Sequence, residues 1–512
     1  MNRNKKIFKY PSYCVAFLLL VSTGVATGCK KLIEISDPRS TIQREEAFSS
    51  NELANSVLAG IYSSMMTNSG QMIFSNGAMS IYPGMSADEF INYGGVQSVE
   101  EYQFVTSKLL KENLVPDQYF WSPMYKIIFS ANSAIEGMAA STSPKLDGAT
   151  KAVLTGEAKF IRAFCYFYLV NLYGDVPLAL TTNFNDNIKK ARSPEADVYK
   201  QIIADLKDAQ ALLADDYSMG GGERIRPNKW AATALLARVY LYMKDWANAE
   251  AAASEVIGNT QFRLTGALGD VFLKNSTEAI WQLQQNPAKQ PYNGTWDGSH
   301  LTAYFYWTDL TPDLQAAYRD SALFTTLAPY FISHYYFTKN QANAFEANDQ
   351  RKNIWAGYSQ TPVKSEWNGD TVFYSKKYTI AIGSASQPIT QYYMVLRLGE
   401  QYLIRAEARA QTGTNLSGAA ADLDALRLRA GLEKTAAASQ DALLKAVAHE
   451  RQVELFAEWG HRWFDLKRTG KATETLGAMP AKQPWSASQL LYPIAPQEIL
   501  KDPHLVQNPG YF

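Results

Sequence analysis

The sequence has little cysteine, little histidine and no excess of either charge. It holds three Cys, five His, and 49 Lys and Arg against 49 Asp and Glu in 512 residues. Without a basic excess the chain lacks the attraction that draws proteins to nucleic acid, so nucleic acid is not a predicted partner. The His residues are scattered, and neither a Gly-x-Ser-x-Gly motif nor a phosphate-binding Gly-rich loop occurs. No catalytic residue, metal site or cofactor is therefore predicted from motifs.

The first 28 residues are typical of a secretory signal peptide. Four cations among the first nine residues precede an apolar run at 15–21 that is too short to cross a bilayer as a helix. Cys29 follows small residues in an arrangement that resembles the bacterial lipobox, in which the cysteine is acylated. We therefore predict that residues 1–28 are removed, that Cys29 carries lipid, and that residues 29–44 tether a soluble body to a membrane.

The cysteine count supports the same interpretation. Cys14 would leave with the signal peptide and Cys29 would carry lipid, so that Cys165 is the one remaining thiol. One thiol cannot form an internal disulfide. Because Cys165 lies in an apolar helical stretch, we expect a buried core residue and not a nucleophile.

The apolar periodicity predicts a mostly α-helical fold. Residues 45–66, 151–172 and 197–213 have helical patterns, and 229–257 and 400–430 each form a pair of helices with small residues on the facing sides. The order of residues in the first pair resembles a tetratricopeptide repeat, but the pairs do not recur at one period. We predict a tetratricopeptide-like scaffold at about 45–258 and 396–470.

A loop-rich insertion is expected to interrupt this scaffold. Between about 259 and 395 the helical period fades and Gly, Pro, Asn and aromatic residues dominate, with extended candidates at 278–284 and 371–378. Binding loops tend to lie in such insertions. The proline-rich residues 471–512 cannot form one long helix, so we predict an extended strap within a single domain that spans 45–512.

Two groups of acidic residues have alternative interpretations. Glu450, Glu454 and Glu458 are one helical turn apart, close to the carboxyl spacing of a retaining glycosidase, but the arginines among them favour scaffold ion pairs. Oxygens at 185–187 and at Asp349 could bind calcium, although solvated loop residues are the expected identity. We therefore predict neither catalysis nor a resident metal.

Aromatic residues cluster in the insertion and around Asp88. The chain has 30 Tyr and 11 Trp, more than a core of this size needs, and these rings prefer half-wet positions. Flat rings beside Asn and Asp suit a sugar, because the ring stacks on the C–H face and the polar side chains bind the hydroxyls. Core packing is the alternative for each ring. The candidate ligand-binding aromatic residues are Tyr93, Tyr292, Trp296, Trp307 and Trp367.

Several separated blocks together resemble the SusD/RagB family of outer-membrane lipoproteins. These blocks are residues 156–163, 172–177, 234–240 with Trp246, 403–408, 450–451 with 462–466, 491–496 and 507–511. The resemblance implies four tetratricopeptide-like helix pairs, a lipid anchor at the outer membrane, and a SusC-like TonB-dependent transporter as partner. It also implies that ligands bind at variable loops. Asp88 matches a recurrent family position near the ligand and is the one site residue that transfers.

These observations together predict a non-catalytic binding protein exposed at the cell surface. Its ligand would be a glycan or oligosaccharide that is handed to the transporter. A peptide-binding nutrient lipoprotein of the same family remains open as an alternative, and a surface glycoside hydrolase is the less favoured one.

Overall fold

The computed structural model describes residues 44–66, 71–363 and 367–511. The predicted signal peptide, Cys29 and the tether before residue 44 lie outside this range. Within it, no helix combines the length and the apolar character needed to cross a bilayer.

Helices dominate the structure, which confirms the predicted fold class. Those before the insertion are Arg44–Ala47, Asn51–Met66, Ala78–Ser86, Val99–Val105, Ser122–Ala140, Gly148–Tyr173, Phe184–Asn187, Glu195–Leu212, Lys229–Tyr242 and Trp246–Ile257. Those within the insertion are Trp296–Leu301, Pro312–Arg319, Ser321–Phe331, Lys339–Ala342 and Gln350–Trp355. Those after it are Leu398–Thr412, Leu416–Arg429, Gln440–Glu454, His461–Arg468, Ala472–Gly477 and Pro496–Lys501.

The long helices pack side by side as a layer. Helix Gly148–Tyr173 packs against Ser122–Ala140 on one side and Glu195–Leu212 on the other, and Lys229–Tyr242 follows next. Trp246–Ile257 then packs against Leu398–Thr412, although the whole insertion separates them in sequence. The insertion therefore projects from a continuous helical layer.

Local sequence explains where these helices begin and end. The side chain of Asp147 accepts a hydrogen bond from the Thr150 backbone, and that of Asn228 accepts from two backbone N–H groups at the start of helix Lys229–Tyr242. Gly174, at φ 72°, follows the last residue of the long helix, where a residue with a Cβ would be strained.

The main core surrounds helix Gly148–Tyr173. The Phe164 ring lies 5.3 Å from the rings of Trp281 and Trp459, all three fully or almost fully buried. Cys165 is fully buried, as predicted. Burial raises the pKa of its thiol, which keeps the nucleophilic thiolate from forming.

Six short strands pair in three antiparallel ribbons in the described part of the chain. They are β1 (Phe90–Asn92), β2 (Ala279–Leu283), β3 (Tyr335–Phe337), β4 (Ala356–Gln360), β5 (Thr371–Ser375) and β6 (Tyr393–Arg397). β1 pairs with β3, β2 with β6, and β4 with β5. The extended candidates at 278–284 and 371–378 thus contain β2 and β5.

The insertion is less irregular than its sequence indicates. Between β2 and β4 it contains helices of six, eight, eleven and six residues, besides a four-residue turn of helix. Segments of about three turns or less give too few apolar repeats for a helical period to stand out.

The C-terminal residues run along the surface and bind the end of the long helix. The Tyr492 backbone N–H donates to the Leu172 carbonyl at 2.8 Å, and the Asn508 amide donates to the Tyr173 carbonyl at 3.0 Å. Two short helices, Ala472–Gly477 and Pro496–Lys501, occur in this strap.

Candidate functional site

Two of the predicted ligand-binding rings lie together. Tyr93 directly follows β1, and its backbone N–H donates to the His334 carbonyl at 2.8 Å, which continues the pairing with β3. Trp367 lies in the connection between β4 and β5, and its ring stacks on Tyr93 with 5.9 Å between centroids and 22° between planes. The hairpin therefore brings Trp367 over the end of β1.

An apolar cluster supports this stack from below. Trp307 is 4% exposed, and its ring lies 5.4 Å from Tyr318, while the ring of Phe324 meets Trp367 edge-on at 5.4 Å. Val372 of β5 completes the contact between the hairpin and helices Pro312–Arg319 and Ser321–Phe331. Trp307 thus lies in the same region as Tyr93 and Trp367, as a buried member of the cluster on which these two rings pack.

Three rings beside this cluster are exposed to solvent. Tyr304, Phe305 and Tyr330 are 42%, 54% and 48% exposed. The Tyr330 ring lies 6.2 Å from that of Tyr304 and 6.4 Å from that of Phe305, and the Phe305 N–H donates to the Tyr330 carbonyl at 3.0 Å. We call these three residues the aromatic patch. Large apolar rings that stand together in water are typical of a binding surface.

A cleft of about 330 Å³ lies next along the chain, between residues 306–308 and the β4–β5 hairpin. We call it the hairpin cleft. Tyr358 and Phe373, which are paired across the two strands, present rings 6.3 Å apart. Short polar side chains accompany them at Thr308, Asn353 and Thr371.

Two lysines give the hairpin cleft a positive edge. The Lys352 ammonium lies 4.7 Å from the centre of the Phe373 ring, and the Lys376 ammonium lies 5.3 Å from that of Tyr306. The Tyr374 hydroxyl is buried without a hydrogen-bond partner. Because burial raises the pKa of Tyr374, the hydroxyl keeps its proton and is available as a donor.

The structure does not bring Tyr292 and Trp296 into this group. Tyr292 has a left-handed backbone, at φ 58°, and is half-buried. Trp296 begins the helix Trp296–Leu301, where its half-buried ring lies 5.4 Å from His300. Neither lines the hairpin cleft, so their part in ligand binding stays a prediction.

Asp88 is buried in an ion pair. It is 2% exposed, and its two carboxylate oxygens accept hydrogen bonds from the Arg462 guanidinium at 2.7 and 2.8 Å. Its backbone carbonyl accepts a hydrogen bond from the Thr338 hydroxyl, next to β3. Asp88 therefore anchors the segment that leads into β1, and direct contact with ligand stays a prediction. Tyr82, six residues before Asp88, is a buried residue of helix Ala78–Ser86.

Buried arginines neutralise the acidic residues with glycosidase-like spacing. Arg351 donates to Glu450 at 2.6 Å and to Glu454 at 2.9 Å, and Arg397 donates to Glu454 at 2.7 Å. Burial alone would raise the pKa of Glu454, but Arg429, Arg397 and Arg351 hold that pKa well below its usual range. A retaining glycosidase needs a carboxyl group that can donate a proton to the sugar, and Glu454 has none to give.

The calcium alternative finds no support in the described residues. Asp349 is fully engaged by Arg351, with three contacts at 2.8 to 3.3 Å, and Asn185–Asn187 belong to the short helix Phe184–Asn187. No group of three His, Cys, Asp or Glu side chains that could hold a metal occurs in 44–66, 71–363 and 367–511.

Comparison with known proteins identifies the family. A family model described as "Starch-binding associating with outer membrane" matches residues 34–241, and the SusD family model matches residues 181–511. The chain belongs to the SusD family. This is a starch- and glycan-binding family, and the chain is accordingly a protein that associates with the outer membrane.

Individual relatives cover most of the chain. SusD-like protein P38 of Formosa agariphila is 25% identical, over 98% of this chain and all of that protein. The starch-binding protein SusD of Bacteroides thetaiotaomicron is 24% identical, over 69% of this chain and 72% of that protein. Among solved structures, a laminarin-binding SusD-like protein is 25% identical with a TM-score of 0.73, and covers 91% of this chain and all of that one.

Some residues of the site were not found from the sequence. Tyr330, Tyr358, Phe373 and Lys352 come from helix Ser321–Phe331, the hairpin and helix Gln350–Trp355. The sequence pattern predicts an extended segment at 371–378, but it does not predict β4, the strand that pairs with this segment. Recognition of β4 would have placed Tyr358 beside Phe373.

Proposed function

We propose that this SusD-family protein binds a glycan, without cleaving it, on a surface formed by the aromatic patch and the hairpin cleft. The observation that carries the proposal is the set of three exposed rings that stand beside a cleft with aromatic walls. In the proposal, lipid on Cys29 holds the protein at the outer surface of the outer membrane. A SusC-like TonB-dependent transporter then receives the glycan.

The chemistry of the surface suits a sugar chain. The rings of Tyr304, Phe305 and Tyr330 offer flat apolar faces on which the C–H faces of sugar rings stack. In the hairpin cleft, Asn353 both donates and accepts hydrogen bonds, and Lys352 donates, so that hydroxyl groups find partners of both kinds. Patch and cleft are joined by the consecutive residues 304–307, so one extended ligand can contact both.

Two observations support binding without catalysis. The glutamates at 450, 454 and 458 are buried among arginines and a lysine, and none of them lines the hairpin cleft. The aromatic patch and the cleft lining contain no carboxylate side chain. An acid and base pair of the kind that hydrolyses glycosidic bonds is therefore lacking at the surface where we place the ligand.

Calorimetry and affinity electrophoresis against a panel of polysaccharides test the proposal. The panel includes laminarin and starch, and a mixed peptide pool tests the peptide alternative. Tyr330→Ala and Phe305→Ala remove one ring each from the patch. Because a ring contact contributes about 1 kcal/mol beyond its buried area, each change should weaken binding by about fivefold. The double variant should lose detectable binding.

Exposed rings elsewhere provide matched controls. Phe129, in helix Ser122–Ala140, is 53% exposed, and Phe184 is 70% exposed. Phe129→Ala and Phe184→Ala should leave glycan binding unchanged. Equal losses for patch and control variants would refute the site. Binding of peptides with no binding of any glycan would refute the ligand class, and release of shorter sugars would refute the absence of catalysis.

The anchor and the partner are tested in the native cell envelope. Mass spectrometry of the mature protein should find the acylated N-terminus at Cys29, and Cys29→Ala should release the protein from the membrane fraction. Mild detergent extraction should recover a TonB-dependent transporter together with the protein. Recovery of the protein alone, after cross-linking as well, would contradict the partnership.

A further inference from the structure

A second cleft lies on the helical layer and shares no lining residue with the aromatic patch or the hairpin cleft. It has a volume of about 430 Å³, within the range of about 300 to 1,000 Å³ that is usual for sites of small ligands. Its walls are one face each of helices Leu398–Thr412, Gln440–Glu454 and His461–Arg468, with Thr475 of helix Ala472–Gly477. We call it the helical cleft.

The walls of the helical cleft are mainly apolar but carry an excess of positive charge. Leu444, Val447 and Leu466 contribute apolar surface. Five cationic side chains stand against three anionic ones among the lining residues. They are Lys445, Arg451, Arg462, Arg468 and Lys471 against Glu407, Asp441 and Asp465.

Arg451 is the unusual member of this lining. It is 2% exposed, and its Nε donates to Asp465 at 2.7 Å. Its two terminal nitrogens, Nη1 and Nη2, are buried and have no hydrogen-bond partner. A buried guanidinium normally has acceptors for its N–H groups, because a buried donor without a partner costs free energy.

The neighbouring arginines differ from Arg451 in this respect. Arg468 donates to both oxygens of Glu407 and to Asp465, and Arg462 donates to both oxygens of Asp88. Glu407, Asp465 and Asp88 are thus already engaged by these arginines, and none of them accepts a hydrogen bond from Nη1 or Nη2 of Arg451. Nη1 and Nη2 form one of the two guanidinium edges that can pair with a carboxylate through two parallel hydrogen bonds.

We infer that the helical cleft binds an organic carboxylate with an apolar body. The carboxylate accepts two hydrogen bonds from Nη1 and Nη2 of Arg451, and the apolar body contacts Leu444, Val447 and Leu466. Lys445 and Lys471 at the cleft add attraction for an anion. A free aliphatic acid and the carboxyl end of a peptide share this chemistry. The inference does not depend on glycan binding at the aromatic patch.

Matched pairs of probes test the inference with the purified full chain. Octanoate is compared with octanamide, and acetyl-Ala-Ala-Leu with a free carboxyl group is compared with its amide. Calorimetry and ligand-observed NMR measure binding. Since hydrogen bonds to charged groups are stronger than neutral ones, we expect at least one acid to bind about tenfold or more tighter than its amide. The acid that binds more tightly distinguishes a free acid from a peptide end.

Two variants connect that binding to the cleft. Ala448 is an exposed lining residue, so Ala448→Phe should fill the cleft and abolish binding without touching the buried ion pairs. Arg451→Lys keeps the charge but removes the paired donors, and should weaken binding of the acid to the level of the amide. Ala251→Phe, at an exposed alanine of helix Trp246–Ile257, is the control.

The outcomes are decisive in either direction. Binding of an acid that Ala448→Phe abolishes and Ala251→Phe leaves intact supports the inference. The inference is overturned if acid and amide bind equally, if neither acid binds at millimolar concentration, or if the Ala448→Phe variant binds the acid as tightly as the wild type. If Arg451→Lys does not fold, the Ala448→Phe result stands by itself.

Discussion

Lys482 is the residue whose replacement gives the sharpest test of how the strap is held. It is 1% exposed, and its ammonium group donates to the carbonyls of Met85 at 2.9 Å, Ser86 at 3.0 Å and Val105 at 2.9 Å. The Ser107 hydroxyl, at 3.0 Å, completes this oxygen cage with the Phe104 carbonyl at 3.3 Å. One side chain thus joins the strap to two segments near Asp88.

The perturbation is Lys482→Met, which keeps the length of the side chain and removes the ammonium group. Hydrogen bonds to a charged group contribute about 1.5 to 3 kcal/mol each, and three N–H donors are lost. Folding of the variant no longer removes a charge from water, and this offsets several kcal/mol of the loss. The buried carbonyls, however, are left without their donors. We expect a net loss of about 3 to 5 kcal/mol, because each buried carbonyl left without a donor costs about 1 to 3 kcal/mol and the avoided desolvation offsets part of the sum.

Thermal and urea unfolding measure this loss. With an unfolding entropy of about 2.1 cal/mol/K per residue and about 470 residues, 3 to 5 kcal/mol corresponds to a fall of about 3 to 5 °C in Tm. Lys445→Met, at an exposed lysine, is the control and should change Tm by less than about 1 °C. In Lys482→Ala, added butylammonium should recover part of the stability, and the same concentration of sodium chloride should not.

A Lys482→Met protein with the Tm of the wild type would refute this reasoning. Such a result would mean that the cage carbonyls find other donors, or that the ammonium group contributes no more than its desolvation costs. Equal recovery by butylammonium and sodium chloride would show that the effect is one of ionic strength and not of the cage.

Three further predictions concern buried groups near the proposed sites. Burial raises the pKa of Glu89 from 4.5 to about 8, so the stability that its protonated carboxyl group contributes is complete below pH about 4.5 and is lost as pH rises through about 8. Glu89→Gln stays neutral and should gain free energy of unfolding relative to wild type over that interval. The same dependence of the free energy of unfolding on pH in both proteins would contradict this. Glu454→Gln removes a negative charge that the buried Arg351, Arg397 and Arg429 share and should cost about 3 to 5 kcal/mol in urea unfolding, where a loss below about 1 kcal/mol would argue against the network. A Cβ at Gly357 would overlap the Tyr374 ring, so Gly357→Ala should cost about 1 to 3 kcal/mol and weaken glycan binding in calorimetry, and unchanged affinity would remove this wall from the site.

The helical layer was predictable because its signals are local. An apolar period over 151–172 requires a buried helix. The side chain of Asn228 begins one helix and the backbone conformation of Gly174 ends another, both through interactions within a few residues. The arginines close to Glu450 and Glu454 in sequence likewise favoured scaffold ion pairs over catalysis. The structure shows these glutamates in ion pairs, but with distant arginines and not with their neighbours in sequence: Arg351 lies 99 residues from Glu450.

The candidate site was only partly predictable. The sequence marked residues 304–307 as aromatic and 371–378 as extended, but it gave no sign that Tyr330 would stand beside Tyr304 or that Tyr358 would face Phe373. The five helices between β2 and β4 are short, so their period is weak.

By itself, the sequence determined that this protein is a helical member of the SusD family with a loop-rich insertion, since those features follow from local patterns and from blocks of residues in order. Only the tertiary structure decided which rings share a surface and which charged groups are already paired. Asp88 shows why: its partner Arg462 is 374 residues away, and neither periodicity nor spacing can reveal a contact that exists only after the chain has folded.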